Sequence, residues 1–197
     1  VGSEMCIRDS ANTEGLGLEN TDIELRPNGT IVVDEFCQTA VENVFAVGDV
    51  NGGLQFTYVS LDDFRVVNGY LHGNKEYTTA DRKNVPYSTF ISPALSHVGL
   101  HKEEAEAAYP NVAVASLPVA NMPRGAVNQD PRGLFRVTVD KDTNLILGAT
   151  LFGKNSEEII NLIKMAIDNK IPYTYIRDQI FTHPTMAENL NDVFKLI

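Results

Sequence analysis

The hydrophobic positions in the C-terminal half of the chain predict three strands. Residues 112–120 and 134–139 are rich in apolar and β-branched residues, and in 134–139 the apolar positions alternate with polar ones, as they do in a half-buried strand. Asn144 then turns the chain into another apolar segment, 145–152. We expect 134–139 and 145–152 to pair as an antiparallel hairpin, because a short turn brings two consecutive strands side by side.

Other segments of the chain predict helices. One helix is expected over 57–72, and a short one over 103–108, which Pro110 ends. A third begins at Ser156, which we expect to act as its N-cap. One face of this helix carries apolar residues at three- and four-residue spacing, namely Ile159, Ile160, Ile163, Ala166 and Ile167. A helix with such a face packs on a sheet.

The N-terminal half reads as turns and short strands. Residues 16–26 and 28–34 are expected to be strand-like, with Asn28-Gly29 as a hairpin-type turn. The continuous apolar run 44–47 is typical of a strand buried on both faces.

Changes in composition along the sequence predict an N-terminal segment and two domains. Residues 1–10 show no clear period and no signal-peptide pattern, so we expect them to be foreign to the fold or disordered. The other reading is an irregular N-terminal strand. A polar segment over 73–86 is typical of a domain boundary. We therefore predict one domain over 11–84 and a second over 85–197.

Composition and charge restrict the classes of partner. The net charge is −10 and 43% of residues are hydrophobic, so nucleic acid and an anionic membrane are poor partners. No apolar stretch is long enough for a membrane helix. The two cysteines, Cys6 and Cys37, form no close pair, which leaves a zinc site and a local redox disulfide unsupported. This cysteine usage favours a reducing cytoplasm.

The first motif with chemical content lies at the end of the apolar run. There Gly48 precedes Asp49, and the carboxyl ends of strands in open α/β sheets are where ligands bind. Gly48 lets a ligand approach the backbone, and a carboxylate accepts strong hydrogen bonds from sugar-like hydroxyls. The other reading is a turn at the end of a strand in which Asp49 caps the next segment.

The second motif is His183-Pro184-Thr185 followed by Glu188. An imidazole exchanges protons near neutral pH. If the chain turns at Pro184, which also permits a cis peptide bond, the Glu188 carboxylate reaches one ring nitrogen and leaves the other free for proton transfer. The other reading is a helix entry, with Thr185 as N-cap and His183 as a surface residue.

The two motifs in this order, FAVGD over 45–49 and HPTxxE over 183–188, resemble those of the class I pyridine nucleotide–disulfide oxidoreductases. That family includes glutathione reductase, lipoamide dehydrogenase and mercuric reductase. The segments 11–18 and 86–105 also look like family segments, so the resemblance covers 11–197. It implies an α/β and α+β fold: the end of a FAD-binding, Rossmann-like region, then a dimerisation domain with an antiparallel sheet.

The resemblance also implies roles for residues near the first motif. Gly48 and Asp49 are expected to hold the ribityl chain of FAD. Thr57, flanked by Gln55 and Phe56, is expected at the pyrimidine edge of the flavin ring. NAD(P)H is the implied electron donor, and no metal site is expected.

For the second motif, the resemblance implies a composite active site in a homodimer. His183, oriented by Glu188, is expected to act as acid and base toward the redox thiols of the other subunit. The implied substrate is a small oxidised molecule: a disulfide, hypothiocyanous acid or a similar compound. The sequence looks most like the mercuric-reductase-like branch that contains the hypothiocyanous acid reductases.

The sequence also departs from the family pattern. The C-x4-C redox disulfide and the G-x-G-x-x-G fingerprints are not in these 197 residues. We therefore expect the chain to be the C-terminal part of such an enzyme and inactive by itself. The alternative is a dimerisation module with no catalytic role.

Overall fold

Five strands form one antiparallel sheet in the C-terminal part of the chain. The structure is a computed structural model that describes residues 10–197, and the chain divides into two units between Arg82 and Lys83. The strands of the second unit are β1 (Tyr87–Thr89), β2 (Leu95–Gly99), β3 (Val112–Pro118), β4 (Leu134–Asp140) and β5 (Ile146–Phe152), in the spatial order β1-β2-β5-β4-β3. The expected antiparallel sheet of an α+β domain is confirmed.

The predicted hairpin is present as β4 and β5. Leu134 pairs with Phe152 and Val139 with Ile146, and the register shifts between Thr138 and Val139. By contrast, the sequence pattern did not identify β1 and β2 as strands. Strand β1 has only three residues, and β2 lies between β1 and the distant β5, a pairing that spacing along the sequence does not reveal.

Six α-helices lie in the described residues. They are α1 (Thr57–Leu71), α2 (Lys102–Ala108), α3 (Pro123–Val127), α4 (Ser156–Asp168), α5 (Tyr173–Asp178) and α6 (Asn189–Phe194). The predictions for α1, α2 and α4 are confirmed within two residues. The short helices α3 and α5 were not predicted, because so few residues show little periodicity.

Helix α4 packs against β2 and β5 through the predicted apolar face. Ile159, Ile160 and Ile163 are buried with Ala166, and Ile167 is partly buried against the same core. Helix α6 packs against β3 and β4. Its Leu190 and Phe194 are fully buried, as are Phe135 of β4 and Leu151 of β5. The core of the second unit therefore forms where the helices cover the sheet.

The expected role of Ser156 was wrong. The N-cap of α4 is Asn155, in the left-handed conformation with φ 65°, and it makes no side-chain capping bond. Ser156 is fully buried, and its hydroxyl donates to the carbonyl oxygen of Ala94 at 2.8 Å. Its Oγ also lies 3.1 Å from Oγ of Ser96. This hydroxyl therefore links α4 to the start of β2.

Most of the strands predicted in the first unit are also wrong. Residues 16–26 and 28–34 make only one isolated antiparallel bridge, between Leu25 and Ile31. In the run 44–47 only Phe45 forms a bridge, with Gln38. Val44 and Val47 are 38% and 44% exposed. The physical reason is that a buried strand needs strands on both sides, and the described residues give this run only the bridge of Phe45 with Gln38.

The predictions about residues 1–10 and Cys6 lie outside the described residues, apart from Ser10. The chain divides at Arg82, within the polar segment 73–86. None of the helices between residues 10 and 197 is both long enough and apolar enough to cross a membrane.

Candidate active site

The structure brings His183 and Glu188 together. Nδ1 of His183 lies 2.9 Å from Oε2 and 3.1 Å from Oε1 of Glu188. The His183 side chain is 72% exposed and that of Glu188 is 14% exposed. Because a carboxylate only accepts, Nδ1 is the ring atom that carries hydrogen in this contact. Because the ring is exposed, its other nitrogen, Nε2, remains available to accept or donate a proton.

Local hydrogen bonds explain why the chain turns back at this motif. The Thr185 hydroxyl donates to the Thr182 carbonyl at 2.8 Å and accepts from the Glu188 N–H at 3.2 Å. The His183–Pro184 peptide bond is cis. Nδ2 of the fully buried Asn189 donates to the Thr185 carbonyl at 3.2 Å. The N-cap of α6 is Glu188, so the reading of Thr185 as N-cap is wrong, and the Thr185 hydroxyl instead closes the turn that pairs His183 with Glu188.

A cleft of about 410 Å³ begins at the same loop. It lies between the loop, the start of α4 and helix α3, and its lining is Arg124, Asn155, Glu158, Ile159, Leu162, Pro184, Thr185, Met186 and Ala187. The sequence pattern did not identify it, because α3 is far from the other two segments along the chain.

In the first unit, Gly48 and Asp49 begin a 3₁₀ helix that spans Gly48–Asn51. Gly48 has φ 74°, which favours glycine. A Cβ atom at this position would overlap Oγ of Ser60 in α1, so a side chain here would force that hydroxyl to move in addition to straining the backbone. The Asp49 side chain is exposed and makes no hydrogen bond or ion pair within residues 10–197, whereas its backbone carbonyl accepts the Gly52 N–H at 3.2 Å.

A buried acidic residue beside this turn was missed by the sequence analysis. Asp63 is 1% exposed, and its Oδ2 accepts hydrogen bonds from the Gly48 N–H at 2.6 Å and from Asn51 Nδ2 at 2.9 Å. Its Oδ1 pairs with the Arg82 guanidinium. One signal could have found it: Asp63 follows Val59 by four positions and precedes Val66 by three, so it falls on the apolar face of α1.

Residues 55–57 lead into α1. Gln55 and Phe56 are partly buried and Thr57 is exposed. The Phe56 carbonyl accepts the N–H groups of Val59 and Ser60. Thr57 is the first residue of the helix, where backbone N–H groups lack partners inside the helix.

Cys37 is not part of a redox site. It is a free cysteine with no exposed surface. Burial, and after it the charge of Asp63, raises the pKa of the Cys37 thiol to about 12. A thiol that stays protonated is a poor nucleophile. Among residues 10–197, no group of three or more histidine, cysteine or acidic side chains could hold a metal ion.

The antiparallel α+β domain and the turn that pairs His183 with Glu188 define the class of domain, and comparison with known proteins identifies the family. The dimerisation domain of the pyridine nucleotide-disulphide oxidoreductases matches residues 85–194. The pyridine nucleotide-disulphide oxidoreductase family also matches residues 5–63. The chain belongs to this family, and the resemblance seen in the sequence is confirmed.

Individual relatives agree with this assignment. The chain is 49% identical over 185 residues to the probable pyridine nucleotide-disulfide oxidoreductase RclA of Escherichia coli K12, covering 94% of this chain and 42% of that protein. It is 32% identical to a glutathione reductase of Burkholderia cepacia, covering 90% of this chain and 39% of that protein. A solved structure of the HOCl-induced flavoprotein disulfide reductase RclA from E. coli matches with a TM-score of 0.92 at 47% identity, covering 95% of this chain and 43% of that one.

Proposed function

We propose that this chain supplies the acid/base pair and part of the flavin site of a homodimeric, FAD-dependent disulfide reductase that takes electrons from NAD(P)H. The chain spans 42% of the length of the E. coli relative. Its substrate is a small oxidised molecule, either a disulfide or a related oxidant such as hypothiocyanous acid. The E. coli protein whose structure matches is a flavoprotein disulfide reductase, which supports this class of reaction.

The observation that carries the proposal is the contact of His183 Nδ1 with Glu188 Oε2 at 2.9 Å. The His183 side chain remains 72% exposed, so a substrate can reach it. Glu188 orients the ring and stabilises the imidazolium that forms when Nε2 takes a proton. Reducing a disulfide to two thiols consumes two electrons and two protons. A proton held at Nε2 of His183 goes to the departing sulfur, and Nε2 takes a proton from an attacking thiol.

The residues of the first unit fit a flavin. Asp49 offers an exposed carboxylate with no partner in the described residues, which is the acceptor that sugar-alcohol hydroxyls need. Gln55 and Phe56 lead into α1 and Thr57 is its first residue, a position where a backbone N–H has no acceptor inside the helix and can bind a polar ligand atom. We propose that these residues, with Gly48, hold the ribityl chain and the polar ring edge. When bound, the flavin supplies the electron transfer.

Family membership supports a homodimer, since the matched domain is a dimerisation domain. In the proposed arrangement, His183 of one subunit serves the redox thiols of the other. The low cysteine content supports a reducing cytoplasm as the site of action.

The test uses the protein expressed from its complete coding sequence. Oxidation of NADH and of NADPH is followed with glutathione disulfide and with hypothiocyanous acid as acceptors. His183→Ala is expected to lower turnover by about 10²–10⁴, the usual contribution of a general acid/base, while the flavin absorbance stays. His72→Ala is the control, because His72 is an exposed histidine in the first unit. Unchanged turnover in His183→Ala would remove this residue from the reaction.

A further inference from the structure

One buried carboxylate holds both ends of the turn that carries Asp49. Oδ2 of Asp63 accepts from the Gly48 N–H at 2.6 Å and from Asn51 Nδ2 at 2.9 Å. Gly48 and Asn51 are the first and last residues of the 3₁₀ helix in which Asp49 lies. A single oxygen atom therefore ties both ends of this short helix to α1.

The backbone at the N-terminal end of the turn depends on this carboxylate. Val47, the N-cap, makes no side-chain capping bond, and the Gly48 N–H is instead satisfied by Asp63 from α1. Asn51 adds a second link, because its Nδ2 also donates to the Ala46 carbonyl at 3.3 Å. Its Oδ1 accepts the Gly53 N–H at 3.0 Å. The residues on both sides of Asp49 are thus fixed while Asp49 itself stays exposed.

Burying the Asp63 carboxylate costs free energy, and packing alone does not require a charged residue at this position. A buried carboxylate is strongly disfavoured unless it is paired and hydrogen-bonded. Asp63 occupies a position between Val59 and Val66 on the apolar face of α1, where an apolar residue would satisfy packing. The guanidinium of Arg82, with 15% of its side chain exposed, offsets the buried charge. The chain thus holds a charged acceptor against the Gly48–Asn51 turn.

We propose that Asp63, with its charge balanced by Arg82, is the positioning residue for Asp49. It orders the turn before flavin arrives, so the Asp49 carboxylate is already placed for the ribityl hydroxyls. Preordering raises affinity, because the turn need not be ordered on binding. This inference rests on the proposed function, since it concerns the residue assigned there to the ribityl chain.

Asp62 provides a matched control one residue away. Its Oδ2 accepts from Arg82 Nε at 2.6 Å and from the Tyr77 hydroxyl at 3.0 Å. It shares Arg82 with Asp63, yet it makes no hydrogen bond to Gly48 or Asn51. Replacing Asp62 thus disturbs the charge network and leaves the bonds to the turn.

The experiment measures FAD binding to the protein expressed from its complete coding sequence, after removal and titration of the flavin. Asp63→Ala is expected to raise the Kd for FAD by about tenfold or more, as the loss of charged hydrogen bonds does. Asp62→Ala is expected to change the Kd by less than about threefold, the effect of a partly exposed pair.

The variant Asp63→Asn separates the effect of the hydrogen bonds to the turn from the effect of the negative charge. Its amide oxygen can still accept from Gly48 and Asn51, while its NH₂ group meets Arg82 as donor against donor. We expect its thermal midpoint to fall nearly as far as that of Asp63→Ala, while its Kd for FAD stays closer to the wild-type value. A purely structural role would make stability and affinity change together.

The outcomes distinguish this inference from the proposed function. If the wild-type protein binds no FAD, the proposed function fails and the inference fails with it. If the wild type binds FAD and Asp62→Ala weakens binding as much as Asp63→Ala, the positioning role alone is overturned. Should Asp63→Ala fail to fold, Asn51→Ala takes its place, because it removes the other half of the link, and an unchanged Kd there overturns the inference.

Discussion

The imidazole rings of His97 and His101 stack with their centroids 3.7 Å apart and their planes at 13°. His97 is 4% exposed. Its Nε2 donates to the Gly99 carbonyl at 3.0 Å, which leaves Nδ1 to accept from the Thr150 hydroxyl at 2.8 Å. One donating and one accepting ring nitrogen make His97 a neutral ring, which lies between Thr150 of β5 and His101 at the start of α2.

This stack predicts a loss of stability in mild acid. Burial lowers the pKa of His97 below its ordinary value of 6.5, and the charge of His101 acts in the same direction. The hydrogen bond to the Gly99 carbonyl and the charge of Glu104 oppose this lowering of the pKa, and the Tyr87 ring lies 5.4 Å away between centroids. Because the unfolded chain binds the proton more tightly, stability falls as pH drops below about 6.5.

The measurement is the free energy of unfolding between about pH 7.5 and about pH 5.5. We expect His97→Gln to flatten the decrease seen in the unmodified chain, since it removes the group that titrates. Equal slopes for the two proteins would show that His97 does not cause the decrease.

Cys37 is expected to resist alkylation in the folded protein. With no exposed surface and a pKa raised to about 12, chiefly by burial, its thiol supplies almost no thiolate at pH 8. Mass spectrometry of the Cys37 peptide after iodoacetamide treatment should show modification only when denaturant is added. Rapid modification under native conditions would contradict the buried position.

Ser156→Ala is expected to destabilise the second unit by about 1 kcal/mol, the typical value of one internal hydrogen bond. The change removes the bonds from Ser156 Oγ to the Ala94 carbonyl and to Ser96. Urea unfolding measures the effect. Ser116→Ala on β3 is the control, because Ser116 is exposed, and an equal loss in both variants would argue against the buried link.

Ile180→Asp is expected to weaken self-association of the chain. Ile180 is 99% exposed, three residues before His183, and a fully exposed large apolar residue in a dimerisation domain is typical of an interface. Sedimentation of the chain should give a dimer whose dissociation constant rises about tenfold or more in the variant. Leu71→Asp is the control, since Leu71 is 61% exposed at the end of α1. A strictly monomeric wild type would contradict the expectation.

Strands and helices whose apolar residues repeat at a regular spacing were predictable from the sequence. The β4–β5 hairpin and the buried face of α4 follow from residues close together in the sequence, where alternation and three- or four-residue spacing determine which side chains are buried. The pairing of His183 with Glu188 was predictable for the same reason, since both belong to one turn.

Features that depend on distant partners were not predictable. The Ser156 hydroxyl looked like an N-cap, yet it binds Ala94 in the segment before β2. The run 44–47 looked like a buried strand, but the described residues give it only the single bridge at Phe45.

By itself, the sequence of this protein determined its family, its antiparallel α+β domain and the turn that pairs His183 with Glu188. Only the tertiary structure decided that Asp63 holds the turn of Asp49, with Arg82 balancing its charge. The physical reason is that a carboxylate on the apolar face of a helix can be buried only if donors from elsewhere in the chain reach it. Spacing along the sequence does not say which donors do so.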